Sequence, residues 1–521
     1  MAYSLKNWVL KVAASSRTVK LCLTYNHTRY TIIKNHEFMQ PGHLCKTLLY
    51  GLFLFLTLHA CKKTPAPTDP SQGQHPDNSG KSIYDSLFFI SKDIYLWTDA
   101  LPDSATFKPN SFSDPRRMFD ALMSYKRDKD NDYLDRYSFL DNGGTSRVLQ
   151  QGLAGDIGFE VGFQTMTTLN VIYVYPGSPA DKAGIKRGWQ VTTVNGVSNF
   201  KYRDQNTDNV LNNAFSGKSA TFAFRKPDNT TQQLTLNAAT YKVNPVLYSH
   251  IYTFNGIKTG YFVFNNFLAL DEVKTAIDTT FDSFAKAGVK QLIFDLRYNG
   301  GGALNTAEYL ANKLVPGAKS GTEMYTQYFN NNVNTQKFSP YFQNMKAVPY
   351  YPTYNWSEIF YQEATTYKTA KFQKEGAMEF SKINFLVTRS TVSASEMLYN
   401  VLKPAMNVQL VGDSTYGKPV GFIAISFGSY DMYAVNMQLK NSAGEGDYFK
   451  GLAPAIKAQD DYTHDWGDLS DPLLRAALID MGAPAGSLGR MANISADRLA
   501  RTSANRLDAT HFKGMVQTFR K

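Results

Sequence analysis

Lys418 and the serines that precede it are the residues whose types could make or break a bond. The stretch "LVGDSTYGKPVGF", residues 410–422, fits GxxxxGK[ST] at Gly412, Gly417 and Lys418, but Pro419 stands where a hydroxyl should hold magnesium. A phosphate loop also needs a helix after the lysine to present N–H groups to the anion, and "PVGFIAISF" reads as another strand. The lysine has a different use. Desolvation lowers an amine's pKa from about 10.4 towards 7 or 8, so that its neutral form can take a proton from a serine. Val420 and Phe422 supply apolar surroundings suited to that shift.

A serine partner stands upstream. "NFLVTRSTVSASEMLYNVL" reads as a strand, a serine-rich turn and a helix beginning near Ser393. A serine at a helix N-terminus has free backbone N–H groups around it, which can stabilise an oxyanion during acyl transfer. Ser393 to Glu396 also fits the capping box, in which the serine would only cap its helix. "SFAK" at 283–286 and "KTG" at 258–260 match β-lactamase signatures, but in reversed order, and Ser283 falls inside a regular helical pattern. The cysteines are Cys22, Cys45 and Cys61, and the histidines beyond residue 80 are His250, His464 and His511. Thiol chemistry is therefore excluded from the body, and a Ser/His/Asp arrangement is poorly supplied.

The elements that must hold this pair are α/β. Beyond residue 240 strands alternate with helices: "GYFVFNNF", then a helical face of Val273, Ile277, Phe281 and Phe284 stopped at Gly288, then "QLIFDLR" as a buried strand. After "YNGGG" a second helix carries Ala307, Leu310 and Leu314 before Pro316. Residues 317–380, rich in Tyr, Phe, Asn and Gln, interrupt the alternation as an insertion over the core. Upstream, Ile83, Leu87, Ile90, Ile94 and Trp97 step by four and three along one helix face, opening a small helical domain over 83–150. Residues 151–238 are short strands and turns, among them "VIYVYPGSPADKAGIKRGWQVTTVNGV".

Charge and hydropathy set the context. Residues 1–60 carry +6, Lys62 and Lys63 +2, and residues 484–521 +5 against the chain's +11, leaving the body, 64–483, at −2. A near-neutral body argues against a nucleic-acid partner. Lys46 precedes "TLLYGLFLFLTLHAC", an apolar run of secretory-signal length that ends in Ala60 and Cys61. It resembles the lipobox of bacterial lipoproteins, which implies a lipid on Cys61, export to the bacterial cell envelope, and a periplasmic or surface-facing body. Residues 1–60 then read as leader and signal, with Met39 the expected start, and 61–82 as a flexible tether.

"SPADKAGI" and "VNGV" resemble a PDZ domain of the bacterial protease type, although Trp189 stands where that family usually has Asp. Its peptide-carboxylate loop would lie at "GDIGFEVGF", Gly155 to Phe163, with Gly155, Ile157, Gly158 and Phe159 receiving a chain terminus. With that segment ahead of them, "FDLRYNGGG", "TVSASE" and "VGDSTYGKPVG" resemble the C-terminal processing, or tail-specific, serine peptidases. The resemblance covers roughly residues 150–480. It implies a ClpP/crotonase-like α/β peptidase core over 239–483 and a Ser/Lys dyad whose lysine follows the serine by 25 residues, which selects Ser393 over Ser395. It also implies oxyanion donors at Gly301 or Gly302 and at Ala394, protein substrates with unstructured C-termini, and no cofactor or metal. Many members orient the lysine with a glutamine four residues on, where this chain has Phe422. The competing expectation is a catalytically silent binding protein for peptides or glycans.

Overall fold

The computed structural model describes residues 9–15, 18–25, 28–34, 82–348, 351–488 and 514–517. Two units are distinguished, with a boundary at Pro70. In the first, Val9–Ser15, Thr18–Tyr25 and Thr28–Lys34 form an antiparallel three-stranded sheet. The apolar run, Cys61 and the tether lie outside the described residues. No helix among the described residues is long and apolar enough to cross a membrane.

The second unit is built around a six-stranded sheet. Val246–Phe254 runs antiparallel to Ile257–Phe264, which is followed in parallel by Gln291–Asp295, Lys382–Val387, Val408–Gly412 and Ile456–Lys457. Both faces are apolar, as strands covered on two sides must be. Leu292, Phe294, Phe385 and Leu410 face helices Leu270–Ala287, Leu304–Leu314 and Ala394–Leu402, whereas Ile293, Leu386 and Val411 face helix Pro472–Asp480. Leu270–Ala287 buries the expected stripe and ends at Gly288, whose left-handed φ of 74° closes the cap.

The helical segment shares its core with this layer. Leu87, Ile90 and Ile94 of Ile83–Ile94 are buried in the same cluster as the sheet, and Phe139–Asp141 pairs with Tyr430–Tyr433. Trp97 is not on that helix. The helix stops at Ile94, and Leu96 N–H turns away to donate to Val435 O at 2.9 Å. The insertion is likewise woven in rather than laid over the core: Glu323–Tyr328 pairs with Thr369–Lys371 and with Met437–Asn441, which also pairs with Val420–Gly421. The single strand expected after Lys418 is two short ones, Val420–Gly421 and Ile425–Phe427, separated at Phe422.

Residues 159–237 form a β-rich module with its own core. Thr231–Asn237, Ser219–Arg225, Gln190–Val194, Leu169–Val174 and Phe159–Phe163 lie side by side in that order, all antiparallel, with Phe159–Phe163 at one edge. Helix Gln205–Ser216 covers them through Leu211 and Ala214.

A buried ionic cluster joins the module to the sheet. Arg297 lies 2.7 Å from Asp295, 2.9 Å from Asp460 and 2.7 Å from Asp471, and the module's Arg187 reaches Asp460 at 3.6 Å. Burial opposes the charge on Arg297, but Asp295, Asp471 and Asp460 hold it protonated. Arg297→Met removes the shared cation and leaves buried carboxylates uncompensated, so urea unfolding is expected to show a loss of about 3–5 kcal/mol.

Candidate active site

Strand Lys382–Val387 delivers the chain to a turn that the sheet's neighbours fix rigidly. Thr391 Oγ1 donates to Leu296 O at 2.8 Å, Val392 N–H to Asn299 O at 3.0 Å, and Tyr416 N–H to Thr391 O at 3.0 Å. The turn ends in Ser393, whose φ of 63° and ψ of −109° lie where a residue with a side chain rarely sits. Ser393 is wholly buried, and its Oγ donates to no acceptor in the structure, facing only the Glu396 N–H of the capping box. An unsatisfied buried hydroxyl on a strained residue costs on the order of 1–3 kcal/mol for the hydroxyl alone. Such a residue is held for something other than stability. Ser395 differs: its Oγ donates to Asn299 O at 3.1 Å, which ties the helix to the glycine turn.

Lys418 is also wholly buried. Burial drives its pKa well below the ordinary lysine value, against the opposing pull of Asp135 and Glu396. Its Nζ lies 3.7 Å from the centre of the Phe422 ring and 5.6 Å from that of Tyr137. Phe422 therefore forms an apolar floor under the amine where a glutamine would have offered an amide. Phe139 and Tyr433 meet Phe422 edge-on and complete that floor.

Glu396 links the two residues. Its Oε2 accepts both Ser393 N–H at 2.7 Å and Lys418 N–H at 2.9 Å, while its Oε1 accepts Gly417 N–H at 2.7 Å and the Thr415 hydroxyl. Burial raises the Glu396 pKa, and these four hydrogen bonds oppose the rise. The Ser-x-x-Glu spacing marked Glu396 as a helix cap, yet the same carboxylate also fixes the lysine loop. From the helical segment, Tyr137 OH donates to Gly417 O at 2.6 Å, and Asp135 accepts from Tyr95 OH and from Tyr137 and Ser138 N–H. Nothing in their local pattern marked Asp135 or Tyr137 as part of the site.

The glycine turn lies beside the serine helix. Asn299 Nδ2 donates to Phe264 O at 2.8 Å, and its Oδ1 takes Gly301 N–H at 2.9 Å. The Gly301 N–H is thereby committed to Asn299. Gly302 has a φ of 141°, and a Cβ there would meet Phe267 O at 2.0 Å, so only glycine fits. Ala394, the first residue of its helix, carries an N–H with no acceptor within that helix.

The segment expected to receive a chain terminus leads into the edge strand of the β-rich module. Ile157 O accepts Ala180 N–H at 3.0 Å, and Gly158 O accepts Tyr175 N–H at 2.9 Å. Gly158 packs so closely on Ser178 that a Cβ would clash, whereas Gly155 has Arg147 as its nearest neighbour. Phe159 opens the edge strand and stacks edge-on with Phe215 of the covering helix at 5.1 Å. A separate cleft of about 440 Å³, lined by Thr388, Asp413, Lys457 and Tyr462 among others, opens at the carboxyl ends of the parallel strands. Neither Ser393 nor Lys418 lines it.

Residues 250–458 match Peptidase family S41, and residues 83–139 match the Peptidase S41 N-terminal domain. The carboxyl-terminal-processing protease of Picosynechococcus sp. is 27% identical over 274 residues, 52% of this chain and 56% of that protein. Carboxy-terminal processing protease CtpB of Bacillus subtilis is 21% identical over 364 residues, 68% of this chain and 65% of that protein. The chain thus spans between half and two thirds of the length of these relatives. A crystal structure assigned to an S41 protease of Bacteroides fragilis superposes with a TM-score of 0.56 at 23% identity, covering 78% of this chain and 98% of the other, and supports the fold. An α/β peptidase core of the S41 type preceded by a small N-terminal domain is the class these matches define. The chain belongs to peptidase family S41, and the curated proteins it resembles are C-terminal processing proteases.

Proposed function

We propose that this protein is an exported serine endopeptidase that cleaves unstructured protein segments with a Ser393/Lys418 dyad. The observation that carries the reading is the tie at Glu396 Oε2, where one buried carboxylate oxygen holds the backbones of a strained serine and a desolvated lysine. In the reaction, neutral Lys418 takes the Ser393 Oγ proton as Oγ attacks the scissile carbonyl. The resulting oxyanion accepts N–H groups from Gly302 and Ala394. The Lys418 ammonium then returns the proton to the leaving amine, and a water activated by the same lysine releases the acyl group.

The β-rich module is assigned a PDZ-like role, presenting the Phe159–Phe163 edge to a substrate terminus that would add as a strand. Cys61 is assigned the lipid anchor that holds the body at the envelope. The test is degradation of unfolded casein by the parent chain and by Ser393→Ala, read by mass spectrometry. Fragments from the parent alone support the reading, and equal fragmentation by both removes Ser393 from the chemistry.

A pH dependence follows from the lysine. Because burial lowers the Lys418 pKa and the base acts in its neutral form, kcat/KM is expected to rise with pH along a limb well below the ordinary lysine range. A stopped assay from pH 5 to 10, with fold monitored by circular dichroism, checks it. A limb centred near pH 10 would mean that Lys418 is not desolvated during turnover.

A further inference from the structure

A late segment of the chain occupies the ground beside this dyad. Gly514–Val516 runs as a parallel strand along Gly301–Ala303, with Gly514 opposite Gly301, Met515 opposite Gly302 and Val516 opposite Ala303. On its other flank Val516 bridges in parallel to Phe422, and Gln517 N–H donates to Phe422 O at 2.8 Å. The segment is thus hydrogen-bonded between the glycine turn and the residue whose ring underlies Lys418. Its side chains are seated too. Val516 and Gln517 are buried, and Gln517 Nε2 donates to Glu363 Oε2, which also accepts Gln327 Nε2 at 3.1 Å. In this arrangement of the chain Ser393 and Lys418 have no exposed surface. No protein substrate could reach the hydroxyl in this form.

We propose that the edges at Gly301–Ala303 and Phe422 form the groove that takes a substrate peptide as an added strand, and that Gly514–Gln517 is its intramolecular, autoinhibitory occupant. The functional half of this rests on the serine peptidase reading, whereas the occupancy does not. The seated side chains state the ligand class: an extended segment with an aliphatic residue at the Val516 place, followed by a side chain that can donate a hydrogen bond to Glu363. A tethered occupant of this kind acts at an effective concentration on the order of millimolar, so weak peptides do not displace it. Unfolded chains offering many such segments, or an event that pulls the tail away, would open the site.

The test uses full-length chains with Val516→Asp, which places a charge in the buried seat, or Gln517→Pro, which removes the N–H donated to Phe422. The first readout is independent of catalysis. In a Ser393→Ala background, a fluorescent peptide with the sequence of residues 511–521 is followed by anisotropy. It is expected to bind either tail variant at least about ten-fold more tightly than the chain with its own tail intact, because there the groove is vacated. The second readout is casein turnover. Both tail variants are expected to exceed the parent in kcat/KM by about ten-fold or more, and the added peptide to raise KM without changing kcat. Equal peptide binding by folded parent and variant chains, or none by any, overturns the proposal, as does turnover that no tail variant increases. Selective peptide binding with no turnover in any chain keeps the groove and its occupant and removes the peptidase reading instead.

Discussion

Lys418→Met is expected to lower kcat by about 10⁴-fold or more, the scale seen when one member of a nucleophile–base pair is removed, while leaving the protein at least as stable as the parent. The two halves have one cause. A lysine whose folded pKa is depressed binds its proton less readily in the folded than in the unfolded chain, so below its ordinary pKa the unfolded state holds more protons. Stability contributed by this site therefore rises with pH between the depressed and the ordinary value, and at neutral pH the lysine is a burden on the fold. Methionine fills similar space in the pocket of Phe422 and Tyr137 without that burden. Turnover measured beside thermal melting checks both halves. A variant that loses activity and also melts much earlier would show Lys418 to be structural.

Glu396→Gln is expected to lower kcat by about 10²-fold and to shift the ascending pH limb downwards. Every group facing the Glu396 carboxylate is a donor: the N–H groups of Ser393, Gly417 and Lys418 and the Thr415 hydroxyl. An amide must turn its own NH₂ towards one pair of these, leaving buried donors without an acceptor at about 1–3 kcal/mol each. The positions of Ser393 and Lys418 relax accordingly, and misplacement of a catalytic group by about 1 Å can cost 10²-fold. The pH shift separates positioning from bulk stability. Glu396 raises the Lys418 pKa, so removing its charge lets that pKa fall further. A rate loss with the pH limb unmoved would assign Glu396 to helix capping alone.

The proposed dyad draws on local signals, a serine at a helix start and a lysine among apolar residues, but the choice of Ser393 as more than a helix cap came from the 25-residue spacing that the family resemblance implies. The continuous apolar run of Leu292 to Phe294 and the helical stripe of Val273 to Phe284 were visible in short windows. Other parts depend on contacts that no window contains. Arg297 meets Asp460 and Asp471 from far along the chain, and Asp135 and Tyr137 approach Lys418 from the helical segment. Glu396 carried a correct local signal, the capping box, which concealed its second role at the lysine loop. Trp97 continued the helical period past the point where pairing with Val435 ends the helix. The docking of Gly514–Gln517 had no local signal at all, since its partners are backbone groups of Gly301–Ala303 and Phe422.

The central claim is that Lys418 activates the hydroxyl of Ser393. It is tested most directly by exposing the parent, Gln517→Pro and Gln517→Pro/Lys418→Met chains to a small fluorophosphonate at pH 8 and mapping the adduct by mass spectrometry. The account predicts an adduct on Ser393 in Gln517→Pro, slower labelling of the parent, and none when Lys418 is replaced. Labelling of Ser393 that persists at the same rate without Lys418, or no labelling of Ser393 in any folded chain, would contradict it.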